Sequence, residues 1–153
     1  MERTRGKLRL CILFLLLNIA FIWGNSLLPG SASAAFSHWV RQLLARIFQI
    51  GSAGSDSGHG LLRKLAHFTE FGCLGGLLTW LLSMLRKPVW QAFFCGFLVA
   101  GVDETIQRFV PDRGPSFVDV LIDSGGVLLG IILLQVGYTI FTKRAKYALE
   151  DTK

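Results

Sequence analysis

Acidic residues are scarce in this chain. Ten Asp/Glu stand against sixteen Lys/Arg in 153 residues. All charged residues together make up 17%, below the roughly 25% of ordinary soluble domains. Cysteine is scarcer still. Cys11, Cys73 and Cys95 are the only three, an odd number with no spacing that resembles a zinc or redox motif. All three lie in apolar runs, where a thiol serves as a small buried apolar side chain. Internal repeats and low-complexity tracts are absent. No nucleophilic Ser or Cys stands out. Cys73 and Cys95 lie deep in apolar sequence, and Ser116 has no base beside it in sequence.

What the chain has instead is long apolar blocks. Hydrophobic residues reach 52%, and they are gathered into runs, not alternations. That pattern describes an integral membrane protein more than a soluble globule. The length suits a single domain over residues 1–153. We place membrane spans at about 8–28, 61–85, 88–109 and 117–141. Two readings of the first run stay open: a transmembrane helix, which its length favours, or a cleaved signal peptide with Ala32-Ser33-Ala34 at the cleavage site. Between the first two spans, Phe36, Trp39, Val40, Leu43, Leu44, Ile47 and Phe48 recur at helical spacing, with His38, Arg41, Gln42, Arg46 and Gln49 opposite. Residues 35–50 therefore read as an amphipathic helix in the membrane interface. The expected fold is all-α: a polytopic four-helix membrane bundle with this interfacial helix.

The excess of positive charge follows the ends of the runs, which argues for topology and against a nucleic-acid partner. Residues 1–9, the turn at 86–88 and the tail from 142 hold ten of the sixteen Lys/Arg. Both termini are thus expected in the cytoplasm of a bacterium, with the chain in its inner membrane.

Charge inside the runs is confined to two places. One is Lys64, His67 and Glu70. The other is the stretch 101–130, with Asp103, Glu104, Gln107, Arg108, Asp112, Arg113, Asp119 and Asp123. Counted from the basic residues at the inner border, at 1.5 Å per residue, His67, Glu70, Asp103, Glu104, Gln107, Asp119 and Asp123 all lie about 24–36 Å out. Three helices therefore deliver polar groups to one depth. On the last helix Asp119, Asp123, Gly126 and Gly130 share a stripe about 60° wide. The glycines there let a neighbouring helix approach below the site.

Several chemistries fit these residues. The plainest is a set of ion pairs, with Lys64, Arg108 and Arg113 holding Glu70, Glu104 and Asp119, and Ser116 capping the last helix. A divalent cation held by His67 and Glu70 with Asp103, Glu104, Asp119 or Asp123 is another, although no spacing matches a known metal motif. A third is acid–base work on a lipid head group, with His67 or a carboxylate as base and Arg113 as anion clamp.

The pattern Lys64-x-x-His67-Phe68-x-Glu70-Phe71, Asp103-Glu104-x-x-Gln107-x-Phe109-x-Pro111-x-Arg113-x-x-Ser116-x-x-Asp119 and Gly126-x-x-x-Gly130 resembles the VanZ-like family of small bacterial membrane proteins. The resemblance runs over roughly residues 18–140. Phe71 stands where many members carry Tyr, and Asp123 where many carry Asn. The resemblance implies a cell-envelope role, since a member is linked to glycopeptide (teicoplanin) resistance, and it fixes no reaction.

The functional expectation is a site open to the outer leaflet that recognises or modifies a membrane lipid or lipid-linked cell-wall precursor. His67, Glu70, Asp103 and Glu104 are its acid–base or ligand groups. Lys64, Gln107, Arg113, Ser116, Asp119 and Asp123 are its binding wall. A proton- or cation-coupled transporter and a scaffold with a purely structural ion-pair cluster are the alternatives. The absence of inverted repeats argues against the transporter.

Overall fold

The computed structural model describes residues 2–48 and 57–150, and among these it is all-helical. Five helices follow one another: α1 (Glu2–Ser26), α2 (Gly30–Phe48), α3 (Ser57–Met84), α4 (Trp90–Gln107) and α5 (Phe117–Glu150). Arg86 closes α3 in the left-handed region at φ 54°. Its N–H bonds the Ser83 carbonyl at 3.2 Å, and Lys87 N–H reaches back to Leu82 O at 2.9 Å. This paired arrangement satisfies carbonyls that a helix end otherwise leaves open.

Three helical segments are long and apolar enough to cross a membrane: Thr4–Ser26, Leu61–Met84 and Phe117–Arg144. Residues 88–109 were expected to supply another. The helix observed there, α4, has 18 residues, and Gln91, Asp103, Glu104 and Gln107 pull its hydropathy down. The expected interfacial helix begins five residues early, at Gly30, and its last two positions, 49 and 50, lie outside the described residues. The cysteine reading holds only in part. Cys11 is buried, but Cys73 and Cys95 are exposed, on flanks that also present Leu16, Phe21, Phe94 and Leu133 outward.

Packing fixes the directions of the helices. Lys64 meets Asp119 at one end of the α3–α5 pair, and Trp80 and Met84 share a groove with Leu134 and Tyr138 at the other. The two helices are therefore parallel. α4 runs against them, since Gly96 abuts Val127 while Glu104 reaches Ser116. α1 is antiparallel to α3: Asn25 bonds Glu70, and Cys11 Sγ lies 3.7 Å from Leu77 O. The core between them contains Leu15, Ile22, Phe71, Leu74, Ala92, Ala100, Val127 and Ile131.

Glycine makes the α3–α5 contact close. A Cβ on Gly130 would fall on the Gly72 carbonyl oxygen, one on Gly126 on the Phe68 carbonyl, and one on Gly75 on the Val127 carbonyl. Backbone thus touches backbone along these helices, as small residues permit in membranes.

Candidate functional site

Four helix segments meet at one end of the molecule: the C-terminal ends of α1 and α4, the first turns of α5 and the N-terminal half of α3. Here Ser26, His67, Asp103, Glu104, Gln107 and Asp123 are all buried. Asp103 is at the centre. Its Oδ2 accepts hydrogen bonds from Ser26 Oγ at 2.8 Å and from Gln107 Nε2 at 2.9 Å. Gln107 also reaches Ser26 Oγ at 3.3 Å. One carboxylate oxygen therefore ties α1 to α4. His67 Nδ1 lies 3.9 Å from that same oxygen, too far for a hydrogen bond.

Glu104 ties α4 to the start of α5. Its Oε2 accepts the Ser116 backbone N–H at 2.8 Å, and Ser116 Oγ in turn accepts the Asp119 N–H at 3.3 Å. Ser116 is thus the N-cap expected of it, and a carboxylate at a helix N-terminus is electrostatically favoured. Asp119 faces Lys64 across α3, with Nζ to Oδ1 at 3.4 Å. Glu70 turns toward α1, where its Oε1 accepts from Asn25 Nδ2 at 2.9 Å. It borders a separate groove with Asn18, Phe21, Leu65 and Thr69.

Arg113 comes from the turn between α4 and α5. It donates through Nη2 to the Asn25 carbonyl at 3.2 Å. Burial pulls its pKa below the ordinary guanidinium value, nearby Arg63 adds to that, and Asp103 and Glu104 oppose it. The turn is itself pinned. Asp112 adopts φ 58°, Gly30 N–H donates to Pro111 O at 3.1 Å, and a Cβ at Gly30 would collide with the Asp112 carbonyl. The start of α2 and this turn roof the cluster.

The side chains do not enclose one outward-facing cavity as expected. Arg63, Lys64, His67, Glu104, Gln107, Asp119, Ile122 and Asp123 line a small pocket of about 10 Å³, roughly the room one water needs. Glu70, Asp103 and Arg113 are not among its lining residues. Across these polar residues several buried atoms have no hydrogen-bond partner: His67 Nδ1, Glu70 Oε2, Asp103 Oδ1, Glu104 Oε1, and Nε and Nη1 of Arg113. Arg108, a member of the ion-pair alternative, is exposed.

Residues 10–140 match the VanZ/LLP1 family model. The chain belongs to this family. No curated protein and no solved structure matches it. Within this family member, reading by charge missed two contributors from α1, Asn25 and Ser26, and one from α3, Arg63. A signal for the first two was present. Asn25 lies sixteen residues from Arg9, the separation of Glu70 from Arg86 and of Asp103 from Lys87. The depth count applied to α1 places it with the others.

Proposed function

We propose that this VanZ/LLP1 protein is a four-span protein of the bacterial inner membrane, with both termini cytoplasmic, whose polar cluster at the outer face recognises a lipid-linked cell-wall molecule. The fourth span follows from direction. Parallel α3 and α5 require the chain to return across the bilayer between them, and α4 is the described element that does so. Its 18 residues extend about 27 Å, close to the thickness of the hydrocarbon core. Its acidic residues face inward and are buried, so low hydropathy does not forbid the crossing. α2 supports the interfacial placement: Phe36 and Trp39 stack with ring centroids 6.1 Å apart and are exposed, while Ser37 is buried. A membrane-impermeant maleimide is expected to leave Thr152→Cys unlabelled in intact cells and to label it after lysis. Labelling from outside overturns the orientation.

The observation that carries recognition is the group of unpartnered buried atoms on His67, Glu70, Asp103, Glu104 and Arg113. Buried polar atoms normally have partners, and leaving each unmade costs about 1–3 kcal/mol. Both donors and acceptors are left over, which suits a ligand carrying an anionic group and hydroxyl or amide groups. Arg113 is the anion contact. His67, Glu70, Asp103 and Glu104 are the groups able to accept or deliver a proton, and Lys64, Gln107, Ser116, Asp119 and Asp123 hold the wall.

The smallness of the pocket, with Ser26, Asp103 and Gln107 bonded to one another, favours a second reading, a purely structural cluster. Retention of a polyprenyl-diphosphate-linked precursor by protein in nanodiscs separates the two. The intact chain is expected to retain the lipid above a phosphatidylcholine background, and Arg113→Gln to lose about tenfold or more, as for a charged contact worth 1.5–3 kcal/mol. Equal background retention by both proteins sinks recognition and leaves the structural reading.

A further inference from the structure

We propose that His67, Asp103 and Asp123 form a binding site for one divalent cation of the Zn²⁺ or Mn²⁺ class. The residues come from three helices, α3, α4 and α5, and each is at least nine-tenths buried. One ligand atom from each lies within 4.8 Å of the other two. Donor atoms around one such ion at about 2.1 Å stand about 3–4 Å apart. Small side-chain rotations close the difference.

The hydrogen bonds at Asp103 direct the carboxylate. Ser26 and Gln107 both bond Oδ2, which fixes the orientation of the group, as partners of metal-ligating carboxylates do. Its other oxygen, Oδ1, is buried without a partner, and so is His67 Nδ1. Both are atoms able to ligate an ion, and a pocket of about 10 Å³ bordered by His67 and Asp123 lies next to them.

Charge points the same way. Two carboxylates buried side by side are costly unless neutralised. Lys64 is paired with Asp119, and among the described residues no Lys or Arg forms an ion pair with Asp103 or Asp123. A divalent cation with two carboxylates and a neutral imidazole makes an uncharged set, suited to burial within a membrane helix bundle. The imidazole selects the metal. Mg²⁺ and Ca²⁺ prefer oxygen donors alone, whereas Zn²⁺ and Mn²⁺ accept a mixed nitrogen–oxygen set.

The ion takes the unpartnered atoms of His67 and Asp103, and those of Glu70, Glu104 and Arg113 are left to the lipid-linked ligand; the ion is measured with no such ligand present. Full-length protein in detergent is stripped with a chelator and titrated with Zn²⁺ or Mn²⁺ alone, with bound metal counted by mass spectrometry. We expect one ion per chain and a higher thermal midpoint on refilling. His67→Gln and Asp123→Asn are each expected to bind at least about tenfold more weakly, and Ser26→Ala, acting through Asp103, about tenfold more weakly. Asp112→Asn, in the exposed turn, keeps the ion. Should the site variants fail to fold, Co²⁺ in the unaltered protein is the second readout, and visible absorption bands of a low-coordinate nitrogen–oxygen site are expected. Substoichiometric metal with no such bands, or full metal retained by folded His67→Gln and Asp123→Asn, overturns the site.

Discussion

Glu104→Gln is expected to weaken retention of the lipid-linked ligand about a hundredfold while leaving the thermal midpoint within a few degrees of the unaltered protein. Glu104 has two oxygens with different tasks. Oε2 accepts the Ser116 N–H, a contact that a glutamine carbonyl can also make. Oε1 is buried without a partner, and in glutamine an amide nitrogen takes that place. The fold therefore keeps its helix-start contact and loses a charge whose interaction with the α5 N-terminus is worth about 0.3–1 kcal/mol. A ligand that donates to Oε1 loses its acceptor and meets a donor instead. Breaking a buried charged contact costs about 2–5 kcal/mol, and 1.4 kcal/mol is tenfold. Glu104→Ala provides the contrast, because it removes both oxygens and strands the Ser116 N–H, for a stability loss of about 1–3 kcal/mol. If Glu104→Gln is as unstable as Glu104→Ala, and the surviving protein retains ligand normally, the cluster serves the fold and recognition lies elsewhere.

The relation of sequence to site explains which parts of this reading were open from the start. The membrane helices were legible because apolar runs and basic ends are properties of composition. The gathering of these residues at one end of the helices was legible because helices are rigid rulers, and counts from Arg86, Lys87 and Lys143 need no tertiary information. The capping role of Ser116 was legible for the same local reason. Partner choice was not. Glu70 was expected beside His67 and Asp103 in one cavity, yet it bonds Asn25, because α1 approaches α3 on that flank. Arg113 was expected to face an anionic partner, with pairing to a carboxylate as the alternative; its hydrogen bond goes to a backbone carbonyl. Such choices depend on the rotation of one helix against another, which sequence spacing leaves undetermined. The shortfall of α4 has a related cause. A hydropathy scale counts Asp103, Glu104 and Gln107 against membrane insertion, while packing buries all three against neighbouring helices. The cysteine expectation failed at Cys73 and Cys95 through the same ambiguity, since an apolar run does not say which of its faces packs on protein.

Gly130→Ala is expected to be the most disruptive added methyl among the described glycines, to stability and ligand retention together. The added Cβ would fall on the Gly72 carbonyl oxygen and lie 2.9 Å from the Gly76 nitrogen. Both are backbone atoms of α3, so no side chain can swing aside, and the two helices must separate. Overpacking of this kind costs about 1–3 kcal/mol. Its reach extends to the site because α5 also presents Asp119 and Asp123, two or three turns toward its N-terminus, opposite Lys64 and His67. Displacing α5 lengthens the Lys64–Asp119 ion pair, now 3.4 Å, and moves Asp123 away from His67. Gly137→Ala is the control on the same helix. A Cβ there meets nothing within 4 Å, and the gain in helix propensity is worth up to about 1 kcal/mol. Unfolding in mixed micelles is expected to place Gly130→Ala below the unaltered protein and Gly137→Ala level with it or above. Should Gly130→Ala match Gly137→Ala in both unfolding and ligand retention, the close backbone contact between α3 and α5 is not what holds the two acidic residues of α5 at the site.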